Sequence, residues 1–174
     1  MDFALVSKDS VRIKTKRAAL IINPSDITTK TEAETVMLFD KNKEYALSKI
    51  EGVRLVVSGA GEYEVEGVKI SAFDLGTSVG YKIIADNLEI IIAKAEALKK
   101  MTEVSKESQM IILYSDAVID QSLIVGFSPS VVVLYGEKAV EIAGVLGGKE
   151  LNSVSKYQIT QEKLPVDLQI VVLK

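Results

Sequence analysis

Apolar residues in this chain arrive in short runs broken by turn residues, and that spacing limits it to a fold built mostly of strands. FALVS (3–7), SVRIK (10–14) and AALII (18–22) lie close enough together for an opening antiparallel meander. NPSD (23–26) is a turn cluster, followed by short buried strands at ETVML (34–38) and VRLVVS (53–58). VGYKIIADNLEIIIAK (79–94) predicts two strands joined at Asp86-Asn87, residues that tolerate the left-handed backbone of a tight hairpin. Between these strands, Lys43 to Ile50 suits a short amphipathic helix with Tyr45, Leu47 and Ile50 on its apolar side.

The second half changes character. MIILYS (110–115), SVVVLYG (130–136) and LQIVVLK (168–174) read as buried strands, and SKYQIT (155–160) as a further strand. AEALKKMTEV (95–104), VIDQSLIVGF (118–127) and EKAVEIAGVLGG (137–148) predict helices, the last stopped by glycine. Strands alternating with helices after a strand-rich opening, with no linker and no internal repeat, predict one α/β domain over residues 1–174.

Composition narrows the function classes. With 174 residues, 48% of them hydrophobic and 26% charged, the chain can bury a substantial core. A net charge of −3 supplies no basic field for nucleic acid or a membrane surface. No apolar run is long enough to span a bilayer and no signal-peptide pattern opens the chain, so a cytoplasmic address is expected. The sharpest exclusions come from two zeros: the chain has no histidine and no cysteine. Ser–His and Cys–His nucleophile pairs are closed to it, and so is a zinc site of ordinary composition.

GAGEYEVEGVKI (59–70) is the stretch most suggestive of a motif. A phosphate-binding loop would need its glycines between a strand and a helix, so that helix N-terminal amides face the phosphate. Here the tail alternates like a strand, and Gly67 suits a hairpin turn at Glu66-Gly67. Glycines permitting tight strand-to-strand turns are the simpler reading.

The same residues resemble the Gly-Pro-Gly-Glu-Tyr-Glu hairpin of small metal-dependent hydrolases with the metallo-β-lactamase fold, in the branch similar to L-ascorbate-6-phosphate lactonase. Gly59, Gly61, Glu62, Tyr63, Glu64 and Gly67 carry the signature. The opening meander, the 79–94 hairpin, PSVVVLYG (129–136) and the closing ITQEKLPVDLQIVVLK extend it over most of the chain. The resemblance implies a compact α/β fold, a four-layer αββα sandwich of two mixed sheets.

In that family, metal-binding histidines and aspartates sit in loops at strand ends. The resemblance places Asp40, Asn42, Glu44 and Tyr45 at the positions of the first His-x-His-x-Asp-His loop. DLGTSVG (74–80) stands where a second metal-binding segment is expected and has no histidine. Residues 93–96 stand where the bridging aspartate belongs, with Glu96 as a stand-in, and Gly136 occupies the final histidine position. Every histidine position is lost.

Two further readings of these residues concern hard metals. Asp40, Asn42, Glu44 and Glu51 fall at ligand positions of a calcium loop, but Tyr45 replaces its turn glycine and two lysines intervene. Asp40, Asn42, Glu44 and Glu96 remain a weak alternative for an oxygen-ligand Mg, Mn or Ca site, against the simpler reading of Asp40 or Asn42 as a helix N-cap. In YSD (114–116) a strand-end aspartate could serve as a general base or merely cap the next turn, and Ser58 and Ser115 have no histidine to activate them.

The expectation is therefore a degenerate member of the fold, a pseudoenzyme with no catalytic residues, no cofactor and no metal. It is expected to act as a binding or assembly module with a protein partner or as a homo-oligomer, and not as an enzyme. The alternative is a divergent hydrolase or small-ligand binder using a carboxylate site.

Overall fold

A computed structural model describes all residues except 26, 28, 29, 42 and 148–151. The opening meander is β1 (Asp2–Ser7), β2 (Ser10–Lys14) and β3 (Ala19–Ile22), joined in antiparallel pairs. After the two-residue strand β4 (Thr31–Glu32) come β5 (Thr35–Met37), β6 (Ile50–Glu51) and β7 (Leu55–Val57). β5 and β7 extend the first sheet in parallel, while β4 and β6 pair as a small separate ladder.

The second sheet begins with β8 (Gly61–Val65), β9 (Val68–Asp74), β10 (Val79–Ala85) and β11 (Leu88–Lys94), all antiparallel. Both tight turns form at the expected residues. Glu66 and Gly67 have φ of 48° and 76°, and Asp86 and Asn87 have 51° and 62°, the paired left-handed geometry that matches strand twist. The chain then passes through α1 (Leu98–Val104), β12 (Met110–Tyr114), α2 (Gln121–Val125), β13 (Val131–Tyr135) and α3 (Ala139–Val145). β14 (Asn152–Val154) and β16 (Gln169–Leu173) join β11, β12 and β13 in a parallel half, giving the order β14-β16-β13-β12-β11-β10-β9-β8. β15 (Lys156–Gln158) crosses back to pair with β1, so the first sheet reads β15-β1-β2-β3-β5-β7.

The two mixed sheets pack face to face. Phe3, Ile13, Leu20, Ile83, Ile112 and Val133 meet in the central layer, all at most 1% exposed. Along β12 the neighbours of these residues, Ile111 and Leu113, turn outward beneath Leu98, Met101 and Ile142 of the helices. Burial on both faces explains why β12 and β13 read as unbroken apolar runs. Over the outer face of the first sheet, Tyr45, Ile27 and Ile50 cover Ile21, Val36 and Leu38.

The helix expected over Lys43–Ile50 shrinks to one 3-10 turn at Leu47–Lys49. The Ala46 N–H donates to Pro24 O, and Ile50 joins the ladder with β4, so tertiary tethers take the backbone groups a helix would use. A segment this short cannot repay helix nucleation without a packed face. Among the described residues, no helix is long and apolar enough to cross a membrane.

Candidate active site at the strand ends

β11, β12 and β13 run parallel and in register, so Lys94, Tyr114 and Tyr135 form one row at their carboxyl ends. Open α/β sheets bind ligands at this end of the strands, because the loops that follow are free to diverge while the sheet holds their roots. Lys94 closes the apolar run LEIIIA, and its side chain, only 15% exposed, carries an ammonium at the centre of a charged cluster. Nζ lies 3.1 Å from Asp40 Oδ1, 3.6 Å from Glu96 Oε1 and 3.9 Å from Asp116 Oδ2. The Glu96 N–H donates to Asp116 Oδ1 at 3.3 Å. Burial pushes the Asp116 carboxyl above the usual carboxylate range, outweighing the hydrogen bond from Glu96 and the nearby Lys94 charge.

Asp40 reaches this cluster from the other sheet, on the loop after β5. The Tyr45 hydroxyl clamps that loop, accepting from the Asp40 N–H at 3.1 Å and donating to Asp40 O at 3.0 Å. Burial raises the Tyr45 hydroxyl to about 12, so it remains a neutral donor. Beneath the loop, Phe39 stacks on Tyr114 with centroids 6.2 Å apart, and Tyr114 meets Tyr135 at 5.4 Å. Tyr81 lies 6.3 Å from Phe39 on its other side, and its hydroxyl reaches Leu38 O and Val57 O. These aromatic rings form a rigid floor that fixes the Asp40 loop against the second sheet.

A cavity of about 330 Å³ opens beside Asp40, between residues 39–41 and 74–79. Val79 N–H donates to Phe39 O at 2.8 Å and holds the two walls together. Lys41 Nζ lies 3.4 Å from Asp74 Oδ2, and the Gly76 N–H donates to Asp74 Oδ1 at 2.9 Å. Those two contacts, the Gly76 hydrogen bond first, lower the Asp74 carboxyl. Ser78 lines the cavity and is 5% exposed, yet its hydroxyl has no hydrogen-bond partner among the described residues. A second cavity, about 410 Å³, lies at the opposite ends of the same strands, beside Glu89, Ser108 and Gln109. The first has the charged cluster next to it and sits where the sheet presents its loops.

Of the residues singled out in the sequence, Asp40 and Glu96 come together through Lys94. Glu44 is exposed, Glu51 pairs with Lys30 at 2.6 Å on β6, and Asn42 lies outside the described residues. Gly136 has φ of +95° and faces the Tyr114 ring. Gly59 and Gly61 lead into the strand β8 and not into a helix, so that stretch is structural. Sequence reasoning missed Lys94. Its signal was a lone cation ending a buried strand, in the segment assigned to a bridging carboxylate.

Zinc does not fit these residues. The chain offers no imidazole or thiolate, and the carboxylates nearest the strand ends surround an ammonium. Among the described residues, no group of three or more His, Cys, Asp or Glu could hold a metal ion.

No family profile and no curated protein matches the sequence. Solved structures do match the fold. A candidate zinc-dependent hydrolase of the metallo-β-lactamase superfamily from Thermotoga maritima aligns with a TM-score of 0.75 at 11% identity, over 99% of this chain and 98% of that one. A candidate metal-dependent hydrolase from Parabacteroides distasonis gives 0.64 at 13% identity, over 99% and 93%. A diphosphatase of the PhnP family gives 0.50 at 8% identity, over 94% and 80%. The chain thus has the metallo-β-lactamase-like fold expected of it.

The expectation that it is not an enzyme is corrected by the same comparisons. The two structures that share the fold over 98% and 93% of their own length are candidate metal-dependent hydrolases, which overturns an exclusion of enzyme activity drawn from the missing histidines. Missing histidines remove one set of metal ligands, and hydrolysis needs only a base, an activated water and a stabilised oxyanion.

Proposed function

We propose that this chain is a divergent small-molecule hydrolase that uses the charged side chains around Lys94, which adjoin through Asp40 the cleft between residues 39–41 and 74–79. One observation carries the reading: a largely buried lysine held by three carboxylates at the carboxyl ends of the strands, beside a cavity of about 330 Å³. Such an arrangement costs desolvation energy and is weak evidence of stability, so a chemical role is the better account of it. The hydrolases that share the fold support the same reading.

Asp116 is the base. It takes a proton from water, whose oxygen bonds to the electrophilic carbon or phosphorus of an ester. Lys94 stabilises the negative charge that develops on the ester oxygens, and Lys41 adds a second cation at the cavity wall. As the ester C–O or P–O bond breaks, the proton on Asp116 passes to the leaving oxygen, which in a lactone stays on the ring-opened product as its hydroxyl. Asp40 and Glu96 hold the Lys94 ammonium in place.

The test is turnover of a panel of phosphate and lactone esters by untagged protein, with Lys94→Ala and Asp116→Asn beside it. A rate lost by about 100-fold in both variants supports the assignment. Equal rates in all three proteins would sink it. Binding of panel compounds in the cleft without turnover would leave the binding module expected from the sequence.

A further inference from the structure

We infer that the cavity wall at residues 74–79 is an oxyanion subsite, where Lys41, Lys100 and the Ser78 hydroxyl hold a fixed anionic group of the ligand, a phosphate or a carboxylate. As a statement about substrate this rests on the hydrolase reading, and it names an ester that carries a negative charge away from the bond to be cut. Binding of an anion at the wall does not depend on turnover.

The loop between β9 and β10 builds the wall. The Leu75 N–H donates to Ser78 O at 2.9 Å and ties the ends of the loop together, while Gly76, with φ of +85°, supplies its left-handed step. Leu75 is buried and anchors the loop in the same apolar cluster as Leu98 and Met101 of α1. Gly80 makes that approach possible: a Cβ there would lie 2.6 Å from Leu75 Cδ1 and 3.0 Å from Met101 Sδ. Lys100, on the same helix, then lies over the loop, with Nζ 2.7 Å from where a Cβ on Gly76 would stand. Lys41 comes from the opposite wall, on the loop after β5. Two cations from separate elements thus flank one short loop.

The charges at this wall leave room for an anion. Asp74 accepts from the Gly76 N–H and pairs with Lys41 at 3.4 Å, which sets one carboxylate against two ammoniums. Lys100 is exposed and has no ion-pair partner among the described residues. Asp40, the other carboxylate lining the cavity, is met by Lys94 at 3.1 Å. Ser78 supplies the pointer that exposed lysines lack. It lines the cavity and is 5% exposed, and its hydroxyl has no partner among the described residues. A buried hydroxyl left unpaired costs stability that an alanine would not, whereas an oxyanion in the cavity would accept from it. Ammonium and hydroxyl donors converging on one wall suit a group that offers only acceptors.

An amide NMR titration of untagged protein with inorganic phosphate, and separately with acetate, tests this. Saturable shifts at residues 75–79 and at Lys41 are expected with at least one anion, and the preferred anion identifies the group. Ser78→Ala should weaken that binding about tenfold while its urea midpoint stays at or above that of wild type. Lys100→Gln, an exposed change, should weaken it about threefold or more. No saturable shift with either anion would overturn the inference. Binding that survives Ser78→Ala or Lys100→Gln unchanged would overturn it too, and so would a lower midpoint for Ser78→Ala, which would give the hydroxyl a structural role. Anion binding without turnover of any ester would leave the subsite standing and sink the hydrolase reading. Turnover of neutral lactones without anion binding would do the reverse.

Discussion

Lys94 Nζ lies 3.1 Å from Asp40 Oδ1, and this contact ties the end of β11 in one sheet to the loop after β5 in the other. Both side chains are mostly shielded, so solvent and salt screen the pair far less than they screen an exposed one. A double-mutant cycle with Lys94→Ala and Asp40→Ala should give a coupling of about 1–3 kcal/mol in urea unfolding. The exposed pair Lys30–Glu51, 2.6 Å apart but 70% and 50% exposed, should give a clearly smaller coupling in the same experiment. Equal couplings would mean that Lys94 and Asp40 meet only as surface charges do.

Tyr81 and Tyr135 are both buried tyrosines in the central layer, and their hydroxyls have opposite fates. The Tyr81 hydroxyl reaches Leu38 O and Val57 O, bonding the second sheet to the first. Tyr135 Oη is buried and has no hydrogen-bond partner among the described residues, and burial raises its pKa strongly. Tyr81→Phe should therefore cost about 1–3 kcal/mol, the penalty for stranding buried carbonyls. Tyr135→Phe should be neutral or stabilise by about 1 kcal/mol, since it removes a polar atom that gains nothing. Urea midpoints that shift the same way in both variants would contradict this contrast.

Much of the scaffold was legible in the sequence because its signals are local. Glu66-Gly67 and Asp86-Asn87 mark their hairpins because a tight turn demands left-handed backbone at those two positions and nowhere nearby. MIILY and VVVLY mark parallel strands because both faces are buried. Lys43–Ile50 misled because Tyr45 and Ile50 are pinned individually to the outer face of the first sheet, with the backbone tied to Pro24 and β4. The site was harder still. Asp40, Glu96 and Asp116 carry no spacing that links them, and only pairing between β11 and β12 and packing between sheets brings them to Lys94. Asp116 was readable as a strand-end carboxylate able to act as a base. Lys94 was not, because a search for replaced histidines looks for new ligands and passes over a new cation.

Gly136 stands where a metal-binding histidine was expected, and its backbone explains why a side chain is unwelcome there. Its φ is +95°, and a Cβ would lie 3.0 Å from Tyr114 Cε2 and 3.3 Å from Ser115 N. Gly136→Ala should destabilise the protein by about 1–3 kcal/mol through backbone strain and crowding of the Tyr114 ring. Because Tyr114 stacks on Phe39 beneath Asp40, the near-UV circular dichroism of the folded variant should change as well. A variant with wild-type stability and spectrum would show that the ring can retreat freely.

Asp116 offers a prediction in which stability and activity move in opposite directions. Burial raises its pKa above the ordinary 3.8, ahead of the opposing Glu96 hydrogen bond and Lys94 charge. The unfolded chain therefore loses this proton first as pH rises, and the folded protein holds it longer. Ionisation costs folded stability, beginning near pH 3.8 and complete once pH has passed the raised folded value. Asp116→Asn removes that cost. Its urea midpoint should exceed that of wild type at neutral pH, and the advantage should vanish below about pH 4, where the wild-type carboxyl is neutral in both states. Ester turnover, if Asp116 is the base, should fall by about 100-fold in the same variant. A variant less stable than wild type at neutral pH would mean that pairing with Lys94 outweighs burial, and Asp116 would then be an anchor for the lysine before it is a base.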